Sequence, residues 1–181
     1  FKRINDYGRK AGFLVEHYII SSGMREIIKS TSIADEFKRI YACRYYYDET
    51  HTATWPAQVV NYTAKTQYIF RINKQVLDVN DDADLNKYVP KTERPIPFER
   101  MIYIADGLTD VPCMRLVKEY GGKSIAVYSS NDAVAKSLKD VGRVNYIAKA
   151  DYSSGSEMEQ IVQSILDHMK ADEVLKKYEE K

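Results

Sequence analysis

The sequence contains no hydrophobic run close to the roughly 20 residues that a membrane-spanning helix requires, and no signal peptide is visible at its N-terminal end. It also has no surplus of one charge, because 27 basic residues nearly balance 26 acidic residues and leave a net charge of +1. A general nucleic-acid-binding surface needs surplus positive charge to bind phosphates. We therefore expect neither a membrane protein nor a nucleic-acid binder, and 181 residues suffice for one sizeable core.

Cysteine and histidine are also scarce. The two cysteines, Cys43 and Cys113, both lie in apolar contexts, which predicts reduced core residues in a cytoplasmic protein. The three histidines, His17, His51 and His168, are scattered along the chain and give no indication of a metal site or a catalytic dyad. Neither cysteine has a histidine partner in an obvious motif, so thiol chemistry is not expected.

Short apolar runs alternate with segments of helical periodicity along most of the chain. Runs of strand length occupy residues 14–20, 39–48, 101–105, 124–128 and 144–148, and helical patterns occupy residues 1–12, 64–77, 112–120, 132–140 and 156–181. This alternation predicts an α/β fold with a three-layer, Rossmann-like parallel sheet that helices cover on both faces. Residues 45–62 are predicted to form a small β-hairpin, which either extends the sheet edge or serves as a contact in a homo-oligomer.

The first part of a candidate site is a polar turn directly after the apolar run of residues 18–20. Ser21, Ser22 and Gly23 end this run, and a helical pattern with Ile27 on its apolar face begins at once. In a parallel sheet such a turn lies at the carboxyl end of a strand, where ligands bind, and the free amides of a helix N-terminus suit a phosphate. The alternative is that the two serines simply cap the helix.

Three further side chains complete the candidate site. Lys65 lies near the start of its own predicted helix, where its cation can neutralise a phosphoryl oxygen. Asp106 and Asp110 follow the strand at 101–105, and two carboxylates four residues apart across a glycine turn can hold a divalent cation such as Mg²⁺. Because the strand ends at Ser21 and Asp106 fall on one edge of a parallel sheet, we predict a site for a metal-bound phosphate. The alternatives are a solvated lysine, a turn aspartate and a helix cap.

These motifs resemble those of the haloacid dehalogenase (HAD)-like hydrolase superfamily in order and in approximate spacing. Residues 18–23, Tyr-Ile-Ile-Ser-Ser-Gly, resemble its second motif, an apolar strand that ends in Ser or Thr. Lys65 resembles the lysine of the third motif. Residues 103–112, Tyr-Ile-Ala-Asp-Gly-Leu-Thr-Asp-Val-Pro, resemble the fourth motif, with Ala105 where many members have glycine. The resemblance extends over essentially the whole chain.

The resemblance implies a Mg²⁺-dependent phosphatase that acts on a small phosphorylated substrate through an aspartyl-phosphate. Residues 21–23 would bind the phosphate, with Ser21 donating a hydrogen bond to a phosphoryl oxygen. Lys65 would act as a catalytic residue that neutralises the phosphate and the nucleophile. Asp106 would bind Mg²⁺, and Asp110 would support the metal shell or the lysine.

The nucleophile that the resemblance requires is missing from the sequence. In the superfamily it is the first aspartate of an Asp-x-Asp motif after an apolar strand, and that strand is expected between those of the second and fourth motifs. The sequence Asp82-Ala83-Asp84 has these letters but lies in an acidic loop, so we reject it. We therefore predict that residues 1–181 are a HAD-like core domain without its N-terminal strand and cap. The missing N-terminal segment would supply the nucleophile, and this chain alone would be inactive.

Two alternatives to this prediction stay open. A non-catalytic HAD-like α/β module would use the same residues to bind a phosphorylated ligand or a partner protein. A receiver-like signalling domain also uses clustered aspartates and a lysine, but its lysine comes late in the chain, whereas Lys65 precedes Asp106 here. An upstream apolar strand that ends in Asp-x-Asp would decide for the phosphatase.

Overall fold

The computed structural model describes residues 1–179, and the chain forms two compact units. The terminal unit combines Phe1–Val15 with the described part of Pro97–Lys181, and the central unit is Glu16–Ile96. Both units contain strands and helices, so the predicted α/β class is confirmed. The last two residues of the helix predicted at 156–181 lie outside the described residues. None of the described helices combines the length and the hydropathy that crossing a bilayer requires.

The elements are named in chain order. The helices are α1 (Lys2–Ala11), α2 (Arg25–Lys29), α3 (Lys65–Lys74), α4 (Asp82–Asn86), α5 (Val111–Glu119), α6 (Ala133–Asp140) and α7 (Glu157–Glu179). The strands are β1 (His17–Met24), β2 (Phe37–Tyr47), β3 (Ala53–Gln58), β4 (Ile102–Ala105), β5 (Lys123–Tyr128) and β6 (Tyr146–Lys149). The strands divide into two three-stranded sheets, β1-β2-β3 and β4-β5-β6, where the sequence predicted one sheet.

The sheet of the terminal unit is parallel throughout, with β5 between β4 and β6. Alternate residues of β5 face opposite sides of the sheet. Ile125 and Val127 belong to a hydrophobic cluster with α7, bordered by residues of α1, whereas Ala126 belongs to a second cluster with α5 and α6. Helices therefore cover both faces of this sheet, and the terminal unit has the predicted three layers.

Both clusters of the terminal unit consist of apolar side chains. The buried members of the first are Ile125, Val127, Ala148, Met158, Val162, Ile165 and Leu166, and those of the second are Val111, Met114, Ala126, Ala135, Leu138 and Val144. Fully burying one large aliphatic side chain contributes about 1.5–3 kcal/mol to stability. The terminal unit is thus held together mainly by hydrophobic burial.

The sheet of the central unit is mixed, because β1 pairs with β2 in parallel and β2 pairs with β3 antiparallel. Tyr41 of β2 is fully buried, and its ring stacks on Tyr68 of α3 with 4.5 Å between the ring centroids. Ile69 and Ile72 of α3 are buried as well. Helix α3 therefore packs on the face of the sheet that presents Tyr41.

Strands β2 and β3 form a hairpin within a segment that overlaps the predicted 45–62 hairpin. The carboxylate of Asp48 accepts hydrogen bonds from the backbone N–H groups of Thr50 and Thr52, at 2.9 Å each, and so closes the turn. These bonds lower the pKa of Asp48, with the hydroxyl of Thr50 as the strongest contributor. The hairpin exposes aromatic side chains, among them Tyr46 and its register partner Trp55.

Candidate functional site

The predicted phosphate-binding turn, Ser21-Ser22-Gly23, forms a bulge at the end of β1. Ile20 pairs with Tyr41 and Met24 pairs with Cys43, so four steps along β1 match only two along β2. The intervening residues 21–23 are therefore displaced from regular pairing, an arrangement that is over-represented next to active sites. The sequence placed the end of the strand at Ile20, whereas β1 extends to Met24.

The hydroxyl oxygen of Ser21 accepts a hydrogen bond from the N–H of Gly23 at 3.0 Å, which stabilises the bulge. Ser22 and Gly23 are exposed. Helix α2 begins at Arg25, has five residues and receives no capping hydrogen bond from a side chain. The alternative that the serines cap this helix is therefore wrong, and the predicted helix after the turn is present but short. Ile27 is also 68% exposed rather than on a buried face.

Lys65 is the first residue of α3 and is only 5% exposed. The alternative of an ordinary solvated lysine is therefore wrong. Burying an ammonium group is unfavourable, and the positive end of the helix dipole makes this position more so. Each hydrogen of a buried ammonium group needs an acceptor, and a phosphate oxygen can serve as one of them.

The chain enters α3 through a turn that the sequence did not predict correctly. Thr63 precedes the helix and is of a type that often caps helices, but its hydroxyl donates to the side-chain oxygen of Asn61 at 2.7 Å. The same oxygen of Asn61 accepts the N–H of Ala64 at 2.9 Å. Asn61 therefore fixes the turn that places Lys65 at the helix start.

Helix α3 runs in the direction opposite to β1. At its C-terminal end, the amide of Gln75 donates to the hydroxyl of Tyr18, near the start of β1, at 3.0 Å. Further along, Tyr68 stacks on Tyr41, and Tyr41 is the register partner of Ile20 in β1. The N-terminal end of α3 therefore lies toward the carboxyl end of β1.

This orientation brings two predicted site residues to the same end of the central unit. Lys65 precedes Tyr68 by about one helical turn, toward the N-terminal end of α3, and Ser21 follows directly after Ile20 in β1. The segment before α3 is tied to the same end, because the sulfur of Cys43 accepts the N–H of Val60 at 3.2 Å. Ser21 and Lys65 thus lie toward the same end of the central unit, and that they bind one phosphate stays a prediction.

The two predicted metal ligands differ sharply in their environments. Asp106 follows the last residue of β4 and is exposed, whereas Asp110 is only 7% exposed. One carboxylate oxygen of Asp110 accepts the hydroxyl of Tyr103 at 2.6 Å, and the other accepts the hydroxyl of Thr109 at 3.3 Å. Asp110 makes no side-chain capping bond to α5, so the helix-cap alternative is wrong for this residue.

Tyr103 acts as a fixed hydrogen-bond donor to Asp110. Burial, the neighbouring Cys113 and the carboxylate of Asp110 together raise the pKa of Tyr103 far above its ordinary value. The phenol is therefore protonated at any physiological pH and orients the carboxylate. The alternation of β4 could have indicated that Tyr103 and Ala105 share a face, but nothing local to the sequence pairs the tyrosine with Asp110.

The donor set of this loop fits Mg²⁺ only in part. In residues 1–179 no group of three or more His, Cys, Asp or Glu side chains is arranged to hold a metal ion. Magnesium sites commonly use one or two carboxylates, with water and substrate phosphate as the remaining ligands. Asp106 is exposed and fits that role, whereas Asp110 is already anchored on both oxygens and is better suited to support.

Arg71 organises the acidic segment that superficially resembles a calcium loop. Its side chain is 1% exposed and donates to the backbone carbonyls of Asp78, Val79 and Asp81 at 2.6–3.0 Å. It also pairs with the carboxylate of Asp82 at 2.8 Å. The sequence predicted a solvated acidic loop here and did not reveal that an arginine holds it.

The four principal site residues belong to different units of the chain. Ser21 and Lys65 lie in the central unit, and Asp106 and Asp110 lie in the terminal unit. In the central unit, Ser21 and Lys65 lie toward the same end. In the terminal unit, Asp106 and Asp110 lie in the same loop after β4. That both pairs act on one ligand stays a prediction.

No protein-family model matches the chain. It is similar to an uncharacterized protein of Borreliella burgdorferi, with 31% identity over 161 residues that cover 80% of this chain and 55% of the relative. The chain therefore spans about half the length of the curated relative that it matches. The name of that relative assigns no activity, so the site must be interpreted from its own chemistry.

Proposed function

We propose that the chain is part of a HAD-like, Mg²⁺-dependent phosphatase that acts through an aspartyl-phosphate. The observation that carries this proposal is the burial of Lys65 at the start of α3, at the end of the central unit where Ser21 lies. A buried cation at the start of a helix, beside a bulge whose Ser22 and Gly23 are exposed, suits a phosphate.

In this proposal the central unit binds the phosphoryl group. The hydroxyl of Ser21 donates to one phosphoryl oxygen, and the exposed backbone of Ser22 and Gly23 offers further contacts. Lys65 neutralises charge that spreads over the phosphoryl oxygens in the transition state. Positioning and neutralisation of this kind are the main contributions of a protein to phosphoryl transfer.

The terminal unit supplies the carboxylates. Asp106 holds Mg²⁺ together with water, and the metal, when bound, neutralises charge on the phosphate. Asp110 supports this shell or orients the lysine, and the hydroxyl of Tyr103 keeps its carboxylate in place. These roles follow the exposure of Asp106 and the burial of Asp110.

The nucleophile is proposed to come from a segment N-terminal to this chain. In the superfamily that the chain resembles, the strand with the Asp-x-Asp motif precedes the strand of the second motif, which here is β1. The greater length of the relative also leaves room for such a segment.

The reaction balances with two aspartates of an Asp-x-Asp motif. The first carboxylate attacks phosphorus, the phosphate-ester bond breaks, and the second aspartate donates a proton to the leaving alcohol. Water, deprotonated by that second aspartate, then attacks the aspartyl-phosphate and releases inorganic phosphate. A small phosphorylated substrate and a cytoplasmic location go with this proposal, and the absence of a disulfide between Cys43 and Cys113 in the described residues fits a reducing compartment.

A second candidate is a non-catalytic HAD-like module that binds a phosphorylated ligand or a partner protein. It is favoured by one observation: in residues 1–179 the Asp-x-Asp sequence at Asp82 lies in helix α4, not at the end of a strand. The upstream sequence discriminates between the two candidates, because only the phosphatase needs an aspartate there.

The proposal is tested by assaying a longer version of the protein, with its upstream segment, beside this chain on p-nitrophenyl phosphate with Mg²⁺. We expect turnover by the longer protein alone, reduced at least about a hundredfold by Lys65→Met or by Asp106→Asn. Lys29→Gln, which removes an exposed charge from α2, is the matched control and should not change the rate. Equal turnover by this chain and the longer protein would refute the proposal.

A further inference from the structure

Two arginines beside the phosphate-binding turn have buried polar atoms without partners. The Nε atoms of Arg25 and Arg44 are buried, and each lacks a hydrogen-bond acceptor in the described structure. Within residues 1–179 neither side chain forms an ion pair, and Arg25 does not pair with its neighbour Glu26. An unsatisfied buried donor of a charged group is unfavourable, so each such atom in a folded protein calls for an explanation.

The contrast with Arg71 shows that the chain can satisfy a buried guanidinium. Arg71 also has a buried Nε without a partner, but its two terminal nitrogens donate to three carbonyls and one carboxylate. The fold provides no comparable set of acceptors for Arg25 or Arg44 in the described residues. Arg25 and Arg44 are both partly exposed, so an anion from solvent can reach their guanidinium groups, and anionic oxygens are the natural partners of such groups.

The register of the sheet places these two arginines next to each other. Met24 of β1 and Cys43 of β2 are Cα partners, and Arg25 and Arg44 are the next residues on their respective chains. Standard spacings of 3.8 Å along a chain and about 4.8 Å between strands put their Cα atoms at most roughly 12 Å apart. Two arginine side chains can therefore converge on one anionic group.

The pair also adjoins the proposed phosphate site. Residues 21–23 form the bulge immediately before Met24, and Lys65 lies at the same end of the central unit. A ligand whose phosphate contacts Ser21 would extend past Met24 toward Arg25 and Arg44. Two positive charges there would select a ligand with a second negative group.

We propose that Arg25 and Arg44 form a second anion subsite, which binds a carboxylate or a second phosphate of the phosphorylated ligand. This inference rests on the proposed function, because Ser21 and Lys65 define where the first phosphate lies. It narrows the substrate class from any phosphate ester to small phosphate esters with a further anionic group. Guanidinium groups bind both carboxylates and phosphates bidentately, so the two sources share one chemistry.

The test is a calorimetric titration of the full chain with three ligands. Methyl phosphate carries one anionic group, phosphoglycolate adds a carboxylate, and pyrophosphate adds a second phosphate. The variants are Arg25→Gln and Arg44→Gln, with Lys29→Gln as the control that removes one exposed charge from the same helix α2. Arg44→Lys, which keeps the charge, serves if the glutamine variant does not fold, as judged from its thermal unfolding.

We expect the unchanged chain to bind phosphoglycolate or pyrophosphate more tightly than methyl phosphate. Arg25→Gln and Arg44→Gln should each weaken binding of the preferred ligand about tenfold or more, while methyl phosphate changes less than about twofold. A loss confined to phosphoglycolate identifies a carboxylate partner, and one confined to pyrophosphate identifies a phosphate. Equal losses for all three ligands, or none, would overturn the subsite.

A separate variant distinguishes failure of this subsite from failure of the proposed function. Lys65→Met should weaken the binding of all three ligands, including methyl phosphate. If it does so while the arginine variants have no effect, the phosphate site stands and the subsite is overturned. If the arginine variants act as expected but Lys65→Met changes nothing, the anion subsite stands and the phosphatase assignment fails. Absence of binding by all three ligands overturns both.

Discussion

The two units of this protein bury very different side chains. In the terminal unit one apolar cluster packs on each face of the sheet, and β5 contributes residues to both clusters. The central unit buries an arginine and a lysine, Arg71 and Lys65, and exposes aromatic residues of its hairpin. The terminal unit also buries polar side chains such as Asp110 and Ser124, but its two apolar clusters form most of its core, whereas the central unit buries an arginine that binds backbone carbonyls.

The hydrophobic core of the terminal unit is tested most directly by the substitution Ile125→Ala in β5. Ile125 is fully buried in the first cluster of the terminal unit. Removing three carbon atoms leaves a cavity, and we expect a loss of about 4 kcal/mol in the free energy of unfolding, measured by urea titration. Val134→Ala, at a half-exposed position of α6, should cost less than about 1 kcal/mol. Similar losses at the two positions would contradict a core centred on β5.

The corresponding test of the central unit is Arg71→Ala. This substitution leaves the carbonyls of Asp78, Val79 and Asp81 without their buried donor. We expect a loss of about 3 kcal/mol and faster amide hydrogen exchange in residues 78–96. The control is Arg115→Ala, which removes only an exposed ion pair with Glu119 and should cost no more than about 0.5 kcal/mol. Unchanged exchange in residues 78–96 would show that Arg71 does not hold the segment.

A smaller effect is expected from replacing Tyr103, the residue of the terminal unit that holds Asp110 in place. Tyr103→Phe removes the hydroxyl that donates to Asp110 and should lower stability by about 1 kcal/mol. In the longer protein it should lower kcat about tenfold with little change in KM, because Asp110 would be less well positioned. Tyr128→Phe, in the neighbouring strand β5, is the control. A kcat equal to that of the unchanged protein would remove Tyr103 from the site.

The smallest predicted effect concerns the acid stability of the central unit. Burial alone would raise the pKa of Glu16, but hydrogen bonds from Lys38 and Tyr18 outweigh it and lower this pKa. A lowered folded pKa contributes stability above the unfolded value of about 4.3, and this contribution is lost as pH falls through the folded pKa. Glu16→Gln should cost about 0.5 kcal/mol near neutral pH, after discounting for the exposed lysine.

Urea titrations of both proteins at two pH values check this prediction. The difference between the unchanged chain and Glu16→Gln should be smaller at about pH 3 than at neutral pH, because the carboxyl becomes protonated in both states as pH falls through the folded pKa. A difference that is the same at about pH 3 and at neutral pH would mean that the charge of Glu16 makes no contribution.

The terminal unit was largely predictable from the sequence. The apolar runs at 124–128 and 101–105 became β5 (Lys123–Tyr128) and β4 (Ile102–Ala105) with shifts of one residue. The spacing of Ser156 and Glu159 is that of a capping box, and the hydroxyl of Ser156 accepts the N–H of Glu159 at 3.3 Å. These features follow from periodicity and capping, which act over a few residues and are visible in any local window.

The central unit was less predictable because its structure depends on distant residues. The bulge at residues 21–23 arises from the register of β1 against β2, which no local pattern reveals. Asn61 rather than Thr63 fixes the turn before α3, and Arg71 acts on carbonyls of residues 78–81. Backbone carbonyls have no sequence signature, so an arginine that binds them resembles any surface arginine.

The candidate site was predicted in part for the same reason. Residue types and order were sufficient to select Ser21, Lys65, Asp106 and Asp110, and the structure supplied their environments. The burial of Lys65 and the hydrogen bond from Tyr103 to Asp110 both favour a functional role for these residues over an ordinary structural role. The sequence alone left that choice open.

The central claim is that a phosphoryl group bound by Ser21 and Lys65 is transferred to an aspartate outside this chain. The most direct measurement is acid quenching of the longer protein during turnover, followed by mass spectrometry of its peptides. We predict one phosphoryl group on an aspartate N-terminal to Phe1, lost on treatment with hydroxylamine and absent from the Lys65→Met variant. Turnover with no phosphorylated aspartate, or with the phosphoryl group on Ser21, would contradict this account.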